Sequence, residues 1–169
     1  MRPRALAALV LAALGATCER AAERAGSVRA VATRLPKDTI RFTAPARAAR
    51  CSVGTGGGLL LEGSSGGNGV LVWLRASGPL EGGSWPLLQR GDTVSRRGAR
   101  VGLRFMGGDV AYGVALDSGT VTLTDDSGLI TLVVSGAGIS VAAAGRVDAE
   151  ATFDAVPVGA DTVSCRPAA

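Results

Sequence analysis

From residue 51 onward, apolar and polar positions alternate along the chain with a period of two. Val101, Leu103 and Phe105 alternate with Gly102, Arg104 and Met106, and Val110, Tyr112, Val114 and Leu116 with Ala111, Gly113 and Ala115. Val121 and Leu123 lie between Thr120, Thr122 and Thr124, while Ile130, Leu132 and Val134 form a face followed by Ile139 and Val141. Val147, Ala149, Ala151 and Phe153 alternate with Arg146, Asp148, Glu150, Thr152 and Asp154. Successive side chains of a strand point to opposite faces, so this pattern predicts antiparallel sheet with one buried face. The run VLVWL at 70–74 does not alternate, which predicts a central strand buried on both faces with Trp73 in the core. MGGD (106–109), DSG (117–119) and DDSG (125–128) read as tight turns in which glycine supplies positive φ. Short strands closely spaced between such turns predict an all-β domain over 51–169, an antiparallel β-sandwich or barrel with glycine-rich hairpins.

The first 50 residues follow a different pattern. Two arginines in MRPRA precede an unbroken apolar stretch at 5–16. Twelve residues are too few to span a bilayer, which needs about 20, but they suit the hydrophobic part of a secretory signal, so residues 1–18 read as a signal peptide or lipoprotein leader. Two processing routes fit. Cys18 directly after the stretch is a candidate lipidation site, although Gly15 and Thr17 stand where a lipobox carries Leu and a small residue. Alternatively, a signal peptidase cuts after Gly15, reading Ala13-Leu14-Gly15 as its site. Residues 19–50 read as a basic tether, with Val28, Val31 and Leu35 at helical spacing. A short helix or a flexible stalk is expected there, broken at 36–38, with a strand at 39–43.

The chain has three cysteines, and an odd number in an exported protein asks for an assignment. With Cys18 at the processing site, the simplest pairing joins Cys51 to Cys165 across the folded domain, first strand to last. An oxidising compartment permits it, and closing so long a loop stabilises by roughly 4–5 kcal/mol in the chain-entropy model.

Three segments carry a resemblance: GSWPL (83–87), SGTVTLT (118–124) and TFDAV (152–156). Over residues 83–156 the chain resembles small bacterial exported β-domain proteins of unknown function, many of them lipoproteins. The resemblance implies the fold and an exported, periplasmic, outer-surface or extracellular location. It brings no catalytic residues.

Composition narrows the chemistry. The chain contains no histidine, so His-based triads, His zinc sites and His proton relays are excluded. The one lysine, Lys37, is followed by Asp38 and has no glycine-rich loop before it, which excludes a Walker A site. The glycine clusters at 54–58 and 63–69 lack the strand, Gly-x-Gly-x-x-Gly, helix context of dinucleotide binding and read as hairpin loops. Asp109, Asp117, Asp125 and Asp126 are turn-forming acids without calcium-loop spacing. No serine has an activating base nearby in sequence. No catalytic residue, metal site or cofactor is therefore expected.

Two features suit binding. Arg90, Arg96, Arg97, Arg100 and Arg104 form a basic cluster, with Arg96 and Arg97 on a loop where they are candidate contacts for an anionic ligand. Trp85, beside Gly82, Gly83 and Pro86, is a candidate stacking or anchoring residue, or else a lid folded onto the core. Nucleic acid is not expected as a partner, because readers of single strands interleave aromatics with their basic residues. The net charge of +4 supports the same exclusion once divided: residues 1–50 carry +7 and residues 51–169 carry −3. The basicity lies nearest a membrane, in contact with which a lipid anchor and basic tether would sit. The leading expectation is an exported, non-catalytic envelope or surface domain that binds or scaffolds an envelope protein or small ligand. The alternative is a small-ligand or carbohydrate-binding module using Trp85 and loop polar groups. The third is a carboxylate-based hydrolase.

Overall fold

A computed structural model describes residues 26–34, 38–53, 56–140 and 145–165. The leader, Cys18 and the first residues of the expected tether lie outside the described residues. Nine strands follow in chain order: β1 (Gly26–Arg34), β2 (Asp38–Val53), β3 (Gly56–Ser65), β4 (Asn68–Ala76), β5 (Gly83–Pro86), β6 (Gly98–Gly107), β7 (Val110–Asp126), β8 (Leu129–Ser140) and β9 (Arg146–Ser164). Among the described residues there is no helix.

Eight of the strands close into an up-and-down antiparallel barrel, in the order β1-β2-β3-β4-β6-β7-β8-β9 and back to β1. The short β5 pairs with β7 at Thr120–Leu123, beyond the reach of β6, which pairs with β7 at Val110–Ala115. The barrel, and not the sandwich, is therefore the architecture. Alternation alone does not separate the two, because both bury one face of every strand. What decides is the pairing of β1 with β9, between residues more than a hundred positions apart.

The barrel begins at Gly26, which corrects the tether expected over 19–50. In β1 the odd-numbered Ser27, Arg29, Val31 and Thr33 face outward, while Val28, Ala30 and Ala32 are buried inside. The helical spacing of Val28 and Val31 competed with this period-two pattern. Pairing on both flanks, with β2 and β9, decides for the strand. The strand expected at 39–43 is the start of the longer β2, which runs on through Cys51.

The interior is apolar. β1, β2 and β9 contribute mainly alanine, with Ala30, Ala32, Ala44, Ala46, Ala48, Ala149 and Ala151 buried; the wall across from them carries Leu59, Leu61, Leu74, Leu103, Phe105, Leu123 and Leu132 in the same cluster. Small residues on one wall leave room for large ones from the other. Outward positions such as Arg29, Arg41, Arg104, Asp148, Glu150, Thr120 and Thr122 are exposed. This polarity is opposite to that of a membrane-spanning barrel, whose outer band is apolar.

Two expected turns are hairpins as the glycines foretell: Gly66-Gly67 (φ 57° and 82°) joins β3 to β4, and Ser127-Gly128 (φ 55° and 88°) joins β7 to β8. Both have positive φ at the two central residues, the combination that matches strand twist. The segment at 117–119 is not a turn. It lies inside β7, where a bulge between Leu116 and Ser118 bends the strand across β8. Gly119, at φ 126°, is needed there, since a Cβ would come 2.1 Å from the Ser135 carbonyl oxygen. After Val134 the inward series passes through Gly136 and Gly138 to Ser140, which is buried, and Ile139 is 62% exposed. The expected apolar face at Ile139 is thus on the outside.

Candidate binding site

The longest described connection between barrel strands, from β4 to β6, holds every candidate ligand contact. It leaves β4 at Ala76, pairs briefly with β7 as β5, and returns over the outer flank of β4 and β6. Trp85 pairs in register with Val121 and, like it, is fully buried. Its indole Nε1 donates to the Glu81 carbonyl oxygen at 3.3 Å. The Arg97 guanidinium lies over the ring, 4.2 Å from its centroid. Trp85 is thus part of the core, and a ligand would reach the ring only by displacing Arg97 and opening the barrel. Leu88, bonded to the Ala99 carbonyl through its amide at 2.8 Å, is buried and pins the return of the loop.

The rest of the loop is built around Asp92. One carboxylate oxygen accepts from the amides of Val94 (3.0 Å) and Ser95 (2.9 Å), and the other from the Ser95 hydroxyl at 2.6 Å. These bonds hold the Asp92 carboxyl below its usual range, the Ser95 hydroxyl foremost, then the amides and the Arg75 charge, with desolvation opposing. Arg75 donates to the carbonyls of Ser95 (3.1 Å) and Asp92 (3.2 Å), and Arg100 donates to the Asp92 carbonyl as well. Both guanidiniums lie beside Trp73, at 5.0 and 5.3 Å from its centroid. Trp73 is therefore on the outer face of β4, half-buried under this clasp, and not in the barrel core. The apolar run at 70–74 is continuous because the loop covers its outer side.

The clasp presents Val94, 86% exposed, with Arg90 and Arg96 also exposed. Neither Arg90 nor Arg96 makes an ion pair among the described residues. Of the candidate contacts, then, Arg96 is free to meet a ligand, Arg97 is engaged with Trp85, and Trp85 is enclosed. The clasp residues Asp92, Arg75, Trp73 and Arg100 carry no site motif. Asp92 followed at the third place by Ser95 is the one local sign, an Asx turn.

Two open grooves cross the opposite outer flank. One is lined by Thr33, Ser118, Thr120, Ser135, Asp148 and Glu150, and the other by Arg29, Arg41, Thr43, Glu150 and Thr152. They share Val31 and Glu150. Asp148 and Glu150 are side by side on β9, both exposed. No group of three or more metal-ligating acids or cysteines comes together among the described residues.

Cys51 and Cys165 are bonded, with Cα atoms 4.9 Å apart and a sequence separation of 114. The bond joins β2, the second strand and not the first, to the residue that follows β9. Comparison of the chain with protein-family models, curated proteins and solved structures finds no match.

Proposed function

We propose that the protein is an exported, non-catalytic envelope or surface domain that binds a partner through the β4–β6 loop, with Cys18 as its point of lipid attachment. The observation that carries the binding role is the clasp at Asp92. It fixes the backbone of an exposed loop and holds an apolar side chain, Val94, in water between two arginines. Ordering a loop costs conformational entropy, and a surface that is ordered beforehand does not lose that entropy again on association. The Cys51–Cys165 bond is compatible with an oxidising compartment.

The carbohydrate-module alternative through Trp85 has less support, because its ring is enclosed. The hydrolase reading has Asp148 and Glu150 in one groove. That groove is open to water, whereas a carboxylic acid working as a general acid needs a dry surrounding.

A photo-crosslinking residue at position 94 of the full chain, expressed in a bacterial host, tests the proposal. Crosslinks to an envelope protein or lipid from position 94, absent from a probe at Val133, support it. Equal labelling from both positions, or none, contradicts it. Fatty-acid labelling lost in Cys18→Ser tests the anchor separately.

A further inference from the structure

β9 changes partners along its length. Residues 147–154 pair antiparallel with β1. Beyond the bend at Ala155 (φ 48°) and Pro157, residues 158–164 instead pair parallel with Ala48–Ser52 of β2. β1 as described starts at Gly26, opposite Ala46, and the strand described beside Ala48–Ser52 on that side of β2 is the tail of β9. A closed barrel has no free edge. Here the closure over the last part of β2 depends on the tail of β9.

That tail is weakly anchored by burial. Val156 is fully buried and Val158 half-buried, but Gly159 to Ser164 are exposed. The register slips between Ala49 and Arg50. The Cys165 amide bonds to the Ser52 carbonyl at 3.3 Å, and the disulfide then fastens the end. Both sulfur-bearing residues are buried, Cys51 at 3% and Cys165 at 1% exposure.

We propose that Cys51–Cys165 is a latch over a strand-acceptor edge on β2, and that the reduced chain fills this edge with the tail of a second copy. A dithiol supplies two electrons and two protons, cleaving the S–S bond into two thiols while it becomes a disulfide itself. The tail from Val158 onward then leaves β2, and the barrel up to Val156 remains. The edge suits the tail of another copy because that tail has the same sequence as its own occupant. A two-fold exchange makes the same contacts in each copy, the relation that defines a strand swap. Its hinge is at Pro157, between Val156, which stays buried and paired with Ile130, and Val158, and short hinges favour exchange. Because swapped and unswapped forms share their contacts, they balance near the effective concentration of the tail at its own edge, on the order of 1 mM for a short connection.

The test uses the full chain carrying Cys18→Ser, so that only the latch cysteines remain. Isotopically light and heavy preparations are reduced with a dithiol, mixed at about 1 mM, reoxidised and mapped without reduction. Covalent dimers joined by light–heavy Cys51–Cys165 peptides, decreasing on dilution before oxidation, are expected. Near-ultraviolet circular dichroism of the reduced protein retains the Trp85 signal. Exclusively intramolecular bonds at every concentration, dimers joined through like cysteines, or loss of the Trp85 signal on reduction would each overturn the proposal.

Discussion

The two ends of the barrel are closed in different ways. One end holds the β1–β2, β3–β4 and β6–β7 hairpins. There Arg34, at the inward end of β1, makes a two-pronged bond to Asp38 at 2.9 and 3.0 Å. Its guanidinium also lies 4.5 Å from the centroid of Tyr112, which stacks on Phe105 at 5.4 Å. Bonds to Asp38 first, and to Tyr112 next, hold the Arg34 pKa above its ordinary value, with burial opposing, so it stays charged wherever the protein is folded. The other end is closed by a disulfide over the β9 tail, by Trp85, and by the clasp on the β4–β6 loop. The first end depends on side chains from short hairpins and one stack between them. The second joins segments far apart in the chain, and needs a covalent bond where burial is thin.

This contrast predicts a graded series. The largest effect is expected at the second end. Replacing both latch cysteines, Cys51→Ser with Cys165→Ser, should lower unfolding stability by about 4–5 kcal/mol in denaturant titration. Trp85→Ala, removing the largest fully buried side chain, should cost about 4 kcal/mol in the same titration. At the first end, Arg34→Ala or Asp38→Asn should lower the melting temperature by less than either, because their pair is partly exposed. If Arg34→Ala proved as costly as the cysteine change, the contrast between the ends would fail.

The smallest global effect is expected for Asp92→Asn. Melting should hardly change, while amide exchange at Val94 and Ser95 accelerates. The pH dependence has a definite sign. A carboxyl whose folded pKa is depressed contributes stability above its unfolded pKa, about 3.9. That contribution is lost as pH falls through the lower folded value. Exchange at Val94 and Ser95 should therefore rise in acid in the wild type and stay level in Asp92→Asn, once corrected for intrinsic rates.

Much of the barrel wall was legible in the sequence. Val101, Leu103 and Phe105 face inward and Arg104 outward, as period two requires, and the glycine hairpins at 66–67 and 127–128 follow from their residues. What was not legible shares a cause: dependence on distant partners. β1 reads locally as a short helix, because alanine favours helices, and only β2 and β9 make it a strand. Asp117, Ser118 and Gly119 suit a turn equally well, and the bulge follows from how β7 must cross β8. Trp73 departs from its expected surroundings, whereas Trp85 takes the second of its two expected places, folded onto the core. Trp73 sits in an apolar run but lies outside under two arginines, whereas Trp85 sits among glycines but plugs the core. The binding residues were legible in part. Arg96 is exposed on its loop, but the clasp that holds that loop draws Arg75 from β4 and Arg100 from β6.

The central claim is that one end of the barrel depends on the Cys51–Cys165 bond and the other does not. Hydrogen exchange of the oxidised and reduced protein, read by mass spectrometry segment by segment, tests it most directly. Faster exchange on reduction at 158–164 and 48–52, with protection unchanged at 34, 38–40 and 105–112, is the predicted result. Unchanged protection at 158–164, or equal loss at both ends, would contradict it.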